Sequence, residues 1–172
     1  MTSCSSTADA ARCGCLRRLA ADERGAALAE MALLVLPFFV FLALVFEGGR
    51  LMWSHQIAVK AVRDGTRYLS RVLDPTDGAA QDQAGTLART GRLSGGTPLM
   101  GSWSDPTKVR FQVTAVANAG GAYNGPNPIL VVTGQAEVTV NFPFAPVFRF
   151  FAPGMPATIT YEVWDEVRHY GE

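Results

Sequence analysis

The most prominent hydrophobic feature of the chain is one long run near its beginning. Residues 26–46 read AALAEMALLVLPFFVFLALVF and contain a single charged residue, Glu30. A helix of this length extends about 31 Å, close to the hydrocarbon thickness of a bilayer, which is about 30 Å. The run has no polar face, so a membrane-spanning helix is the favoured interpretation and a buried helix of a soluble protein is the alternative.

After the run the pattern changes to helical spacing. Small or apolar residues recur every three or four positions, among them Ala58, Ala61 and Gly65. This spacing predicts an amphipathic helix that continues to about Val72 and ends before Pro75, because the residue preceding a proline disfavours helical geometry. The small residues would allow close approach either of another helix or of the chain's own sheet.

Alternating hydrophobic and polar positions dominate the second half. Residues 108–117, 129–142 and 157–167 each alternate and predict antiparallel strands, with Gly134 as a point where the second could divide. Residues 74–107 are rich in glycine, proline and polar residues, and predict a connecting region with a short helix near 79–90. The expected fold is α+β: a long N-terminal helix packed on a small antiparallel sheet of three to four strands.

The predicted organisation follows from these patterns. We expect a cytoplasmic leader at 1–25, a transmembrane helix at 26–46, an amphipathic continuation at 47–73, a linker at 74–107 and an exported β domain at 108–172. Pro37 is expected to kink the membrane helix, and Gly48 and Gly49 are expected to form a joint between its two parts.

Charge and composition exclude some partners and some chemistry. Lys and Arg together number 15 and so do Asp and Glu, which removes the positive field expected of a nucleic-acid-binding protein. Cys4, Cys13 and Cys15 all precede the hydrophobic run, so no disulfide is expected in the exported part. The cysteines lack the four-ligand set of a closed zinc site, and no metal is expected.

The sequence offers little for catalysis. His55 and His169 are its two histidines, and the spacing of Glu166 and His169 lacks the second copy that a carboxylate-bridged metal site requires. We therefore expect no catalytic residue and no cofactor. A membrane-anchored hydrolase is the alternative from another functional class.

The flanking charges predict the orientation of the span. Arg12, Arg17, Arg18 and Arg24 precede the hydrophobic run. By the positive-inside tendency the N-terminus stays in the cytoplasm, and the residues after the run are translocated. The expected topology is therefore a single membrane crossing.

Glu30 requires an explanation, because a charge inside an apolar span costs roughly 2.5 to 3.5 kcal/mol on insertion scales. It lies five residues after Gly25, near the cytoplasmic edge of the run. One interpretation gives the carboxylate a function. The other lets it reach the aqueous interface from about one turn inside the membrane.

The segment from Arg24 to Arg71 resembles a known family. Its features are an R-G-x-x-x-x-E opening that ends at Glu30, a proline within the span, an acid and an arginine at the exit, and the string AVRDGTR at 61–67. This pattern is similar to that of TadE-like proteins, minor pilins or pseudopilins of the tight-adherence (type IVc pilus) system. Two departures are Met31, where the major pilins have an aromatic residue, and the two glycines between Glu47 and Arg50.

The resemblance implies a location and a pathway of assembly. The location is a bacterial inner membrane, with the C-terminal domain in the periplasm or incorporated in an extracellular pilus. A prepilin peptidase would cut between Gly25 and Ala26, and Glu30 would become the fifth residue of the mature chain and set the register of helix packing. The implied partners are that peptidase, other minor and major pilins, the inner-membrane pilus assembly platform and the lipid bilayer. An unprocessed, membrane-anchored periplasmic accessory protein is the alternative.

A string rich in phenylalanine and proline lies at 142–154, and its prolines argue against regular strand or helix there. Similar apolar connections occur in TadE-like proteins. The rings could dock on another pilin or on the membrane surface, or they could cover the core of the sheet. The residues of this predicted interface are Phe142, Phe144, Phe148, Phe150 and Phe151.

Overall fold

The computed structural model describes residues 23–121 and 123–171. The three cysteines and most of the expected leader lie outside these residues. The chain divides between Val45 and Phe46 into two compact units. The elements in order are α1 (Glu23–Leu69), α2 (Gly78–Thr90), 3-10 turns at Gly101–Ser104 and Pro106–Lys108, β1 (Val109–Val116), β2 (Ile129–Asn141), α3 (Ala145–Phe151) and β3 (Thr158–Arg168).

The first unit contains the apolar part of α1. Its large hydrophobic side chains are exposed, and one apolar stretch of this helix is long enough to cross a membrane. The α-helical assignment continues without interruption through Pro37 and through the pair Gly48 and Gly49. None of these residues ends the helix, and the kink and the joint stay predictions.

The second unit packs the remainder of α1 on a three-stranded antiparallel sheet of order β1-β2-β3. β2 is the central strand and continues through Gly134, which faces Phe111 on one side and Asp165 on the other. The strands lie within one or two residues of the predicted ranges, so alternation placed them well. The α+β prediction is confirmed, with three strands.

Helix α1 ends at Leu69, three residues before the predicted end. The carbonyl of Ser70 accepts a hydrogen bond from the N–H of Tyr170 (3.0 Å), and the carbonyl of Val72 lies 2.8 Å from His169 Nε2. These bonds hold the residues that follow α1, although a helix that ended at Val72 would leave both carbonyls free for them as well. The N–H of Arg71 donates to the carbonyl of Tyr68, three residues back, so the α-helical hydrogen-bond pattern is already lost there.

The predicted linker contributes to the core. Helix α2 begins at the predicted position, where the Asp77 side chain accepts a hydrogen bond from the N–H of Ala79, and its buried alanines pack beside β1. Trp103 is completely buried, and its indole N–H donates to the carbonyl of Glu137 at 3.0 Å. Residues 74–107 thus form part of the folded unit as well as a connection.

The expectation that prolines prevent regular structure at 142–154 is wrong, because α3 forms there. Pro146 stands in the first turn of α3, where a missing N–H removes no intrahelical hydrogen bond and the fixed φ angle suits a helix. Ala145 and Phe148 provide its buried side. Proline therefore lies in the first turn of this helix and is compatible with it.

Candidate functional site

The predicted processing and register residues lie in the first unit. Gly25, Ala26 and Glu30 are all exposed, and a Cβ added at Gly25 would meet nothing within 4 Å. The apolar side chains that follow are also exposed. A helix that is apolar all round and unburied within its own chain requires lipid or other helices as its surroundings. The exposed large side chains are Leu28, Met31, Leu33, Leu34, Leu36, Phe38, Phe39, Phe41, Leu42, Leu44 and Val45.

A second set of residues lies where the apolar run ends, entirely within the second unit. Glu47 is only 3% exposed, and its Oε1 accepts a hydrogen bond from the backbone N–H of Phe144 at 2.8 Å. Arg50 Nη1 lies 3.6 Å from Glu47 Oε2 and donates to the carbonyl of Asn141 at 3.2 Å. The rings of Phe46 and Phe144 meet edge to face, with centroids 5.8 Å apart. We call these five residues the exit cluster.

The exit cluster explains why an acid and a base follow the apolar run. Together, Glu47 and Arg50 hold the segment between β2 and α3 against α1. The sequence identified the two residues as an exit motif but did not predict their partner. The sequence signal for the exit cluster is an acid and a base three residues apart at the end of the apolar run, because two such residues share one helix face.

The small residues of α1 pack on the chain's own sheet, one of the two uses that the sequence left open. Ala58, Ala61 and Gly65 are buried. A Cβ added at Gly65 would overlap the ring of Phe111, and one added at Gly134 would crowd the same ring. Two glycines, one on α1 and one on β2, therefore make room for one aromatic side chain from β1.

Polar contacts from the AVRDGTR string reinforce this packing. The Thr66 hydroxyl donates to Asp165 Oδ2 at 2.7 Å, and Arg63 Nε lies 3.8 Å from Asp165 Oδ1. Thr66 is fully buried, so its hydrogen bond to a carboxylate satisfies a polar group that water cannot reach. Neither Thr66 nor Asp165 was singled out from the sequence, because their pairing joins elements far apart in the chain.

The five phenylalanines of the predicted interface separate into two groups. Phe142 and Phe148 are buried, as expected for rings that cover a core, whereas Phe144, Phe150 and Phe151 are exposed. Phe150 is 85% exposed, and its ring lies edge to face with that of Phe151. Phe142 and Phe148 thus cover the core, and docking of the three exposed rings stays a prediction.

Among the described residues outside the apolar segment, three titratable groups have a shifted pKa. The hydroxyl of Thr76 and then its backbone N–H lower the pKa of Asp74, and Thr107 lowers the pKa of Asp105 in the same way. Burial raises the pKa of Tyr161, whose ring lies beside His55. The two lowered carboxyls stabilise turns at the surface, which fits a structural role.

Each of the two histidines contacts a neighbouring group. The His55 and Tyr161 ring centroids lie 5.8 Å apart, and His169 is hydrogen-bonded to the carbonyl of Val72. Across residues 23–121 and 123–171, no three His, Cys, Asp or Glu residues are grouped so that they could hold a metal ion.

Taken together, these features define the class of the protein. It is an α+β protein with one apolar N-terminal helix that could span a membrane and a small folded unit held to the helix where the apolar run ends.

Comparison with known proteins extends this description. Residues 25–67 match the family model described as TadE-like protein, which confirms the resemblance seen in the sequence over that segment. The match begins at the predicted scissile glycine and ends within α1. The match and the apolar helix fit a membrane protein associated with a Tad pilus. No curated protein and no solved structure matches the chain.

Proposed function

We propose that this protein is a minor pilin or pseudopilin that enters the inner membrane and takes part in building a Tad (type IVc) pilus. A prepilin peptidase removes the leader after Gly25. The apolar part of α1 then packs beside other pilins at the assembly platform, while the folded unit lies in the periplasm. The observation that carries the proposal is the TadE-like match beginning at Gly25, on a helix with an exposed apolar surface.

Glu30 supplies the specificity of that packing in this proposal. Cleavage creates an α-amino group at Ala26, four residues before Glu30. Opposite charges attract strongly in a medium of low dielectric when desolvation is offset by good geometry. A carboxylate that pairs with the new amino group, its own or that of a neighbouring subunit, fixes the register between adjacent helices.

The same proposal assigns no catalysis to the chain. His55 lies beside the ring of Tyr161 and His169 is hydrogen-bonded to the carbonyl of Val72, which favours a structural role for both. Substitution of His55 by Ala, or of His169 by Gln, leaves pilus formation intact in a folded protein. Loss of pilus formation with a normally folded variant would revive the anchored hydrolase.

The processing step can be tested in cells that make the peptidase. Intact-mass measurement of the wild-type chain is expected to show loss of the 25-residue leader, and Gly25→Leu is expected to abolish that loss because a side chain obstructs a confined protease site. Gly49→Leu is the matched control. Gly49 is likewise an exposed helical glycine, and a Cβ added to it meets nothing within 4 Å.

Two results would count against this proposal. A wild-type mass that is the same with and without the peptidase would leave an unprocessed, membrane-anchored accessory protein as the better description. Equal loss of mass in wild type and Gly25→Leu would place the cut elsewhere and remove the register role of Glu30.

A further inference from the structure

The exposed side of α3 is continuous with the end of the apolar run. Val147, Phe150 and Phe151 are exposed at helical spacing, opposite the buried Ala145 and Phe148. α3 therefore presents apolar side chains to its surroundings as well as to the core. Phe144, just before α3, joins this surface to Phe46, with the two ring centroids 5.8 Å apart. We call Phe46, Phe144, Val147, Phe150 and Phe151 the aromatic patch.

The position of the aromatic patch is fixed by the exit cluster. Phe46 is the last residue of the apolar run, and Glu47 accepts a hydrogen bond from the N–H of Phe144 at 2.8 Å. Arg50 donates to the carbonyl of Asn141, at the end of β2. Because Phe46 directly follows Val45 in the chain and contacts Phe144, the aromatic patch lies close to the point where the apolar run ends.

The charges around the aromatic patch suit an anionic surface. Between Glu137 and Glu162, Arg149 is the only charged residue of the sequence. It is exposed on α3 and lies between the apolar positions 147, 150 and 151. No acidic side chain of this segment opposes contact with anionic headgroups, and a basic side chain among apolar ones is typical of segments that lie in a membrane interface.

We propose that the aromatic patch rests in the headgroup region of the bilayer leaflet from which α1 emerges, so that α3 acts as a second, interfacial contact of the folded unit with the membrane. Its partner is the lipid surface itself. Because α1 anchors the chain in the same bilayer, the effective concentration of lipid near the patch is already high. A weak affinity of the patch for the interface therefore suffices to hold it there. The contact limits tilting of the folded unit relative to the bilayer surface before other subunits arrive.

The proposal can be tested by spin labelling of the full chain in nanodiscs of phosphatidylethanolamine and phosphatidylglycerol. Cys4, Cys13 and Cys15 are first replaced by serine, and a nitroxide is attached at Phe150→Cys. Collision with oxygen, which concentrates in lipid, is compared with collision with a water-soluble nickel chelate. Two matched labels calibrate the scale: Phe38→Cys within the apolar run and Leu73→Cys, where the side chain is 83% exposed beyond the end of α1.

At position 150 the ratio of oxygen to nickel collisions is expected to exceed that at position 73 several-fold and to stay below that at position 38, because the headgroup region lies between water and the hydrocarbon interior. A label at Val147→Cys is expected to agree, which guards against a local effect of the substitution at position 150. Arg149→Gln, or nanodiscs without anionic lipid, should lower the ratio at 150 and leave the ratio at 38 unchanged.

Two outcomes would overturn the proposal. A label at 150 that behaves like the one at 73 would place the patch in water. A label shielded from both reagents would show that protein, such as a second copy of this chain, covers it. The assay contains neither peptidase nor pilins, and the label at 38 reports on the span separately, so its result does not depend on whether the chain is a processed pilin.

Discussion

Glu47 Oε1 lies 2.8 Å from the backbone nitrogen of Phe144 and accepts its hydrogen bond, although 97 residues separate the two in sequence. Glu47 is almost completely buried, and its second oxygen forms an ion pair with Arg50 at 3.6 Å. The contact joins the first turn after the apolar run to the segment that precedes α3. It therefore fixes the part of α1 that follows the apolar run within the fold of the second unit.

Glu47→Ala should lower the free energy of unfolding of the second unit by about 1 to 3 kcal/mol, because the N–H of Phe144 loses its acceptor. Glu47→Gln should lower the free energy of unfolding by less than Glu47→Ala does, since the amide oxygen can still accept that hydrogen bond. Denaturant unfolding in detergent, followed by fluorescence of the buried Trp103, measures both. As a control, Glu166→Ala removes an exposed carboxylate and should change the free energy by less than about 0.5 kcal/mol. Equal effects at positions 47 and 166 would contradict the role of the exit cluster.

Gly65→Ala should destabilise the second unit by about 1 to 3 kcal/mol, because the added methyl group overlaps the buried ring of Phe111. Gly85→Ala is the matched control. It also lies within a helix, but a Cβ there meets nothing within 4 Å, so it should be neutral or stabilising by up to about 1 kcal/mol. Thermal unfolding monitored by circular dichroism compares the two variants. A Gly65→Ala protein as stable as wild type would show that α1 does not approach the sheet this closely.

The acid dependence of stability should include contributions from Asp74 and Asp105. Their pKa values are lowered from the ordinary 3.8, first by the hydroxyl groups of Thr76 and Thr107. A lowered pKa in the folded state gives stabilisation that is complete above the unfolded value and is lost as the pH falls below 3.8 through the folded value. Thr107→Val should therefore raise the pKa of Asp105 toward 3.8, and carboxyl NMR titration measures it. Asp74 serves as the internal control, and its pKa should not move.

Local patterns in the sequence predicted the elements well where their causes are local. The alternation of strands and the start of α2 depend on neighbouring residues, and the structure places these elements within one or two residues of expectation. The end of α1 differs because the N–H of Arg71 bonds three residues back, to the carbonyl of Tyr68, and the residues that follow are held by residues 169 and 170. Periodicity contains no information about either contact.

The candidate site also contains residues that a local motif reveals and residues whose partners are distant in the chain. Gly25 and Glu30 could be found from a short motif, whereas the partner of Glu47 could not, because the hydrogen bond joins residues far apart in the chain. The prolines of the aromatic string predict irregular structure when proline is considered only as a breaker, although Pro146 occupies a turn where proline is favourable. Which phenylalanines of α3 are buried depends on its helical geometry.

The central claim is that the apolar part of α1 packs beside other pilins, and in vivo photocrosslinking tests it most directly. A photoreactive residue would replace the exposed Phe41 in cells that make a complete Tad system, with Leu73 as a matched exposed position outside the apolar run. The account predicts adducts between position 41 and other pilins, and fewer of them when Glu30→Ala removes the register contact. A membrane-inserted protein whose position 41 forms no adduct with any pilin, while position 73 forms one, would contradict it.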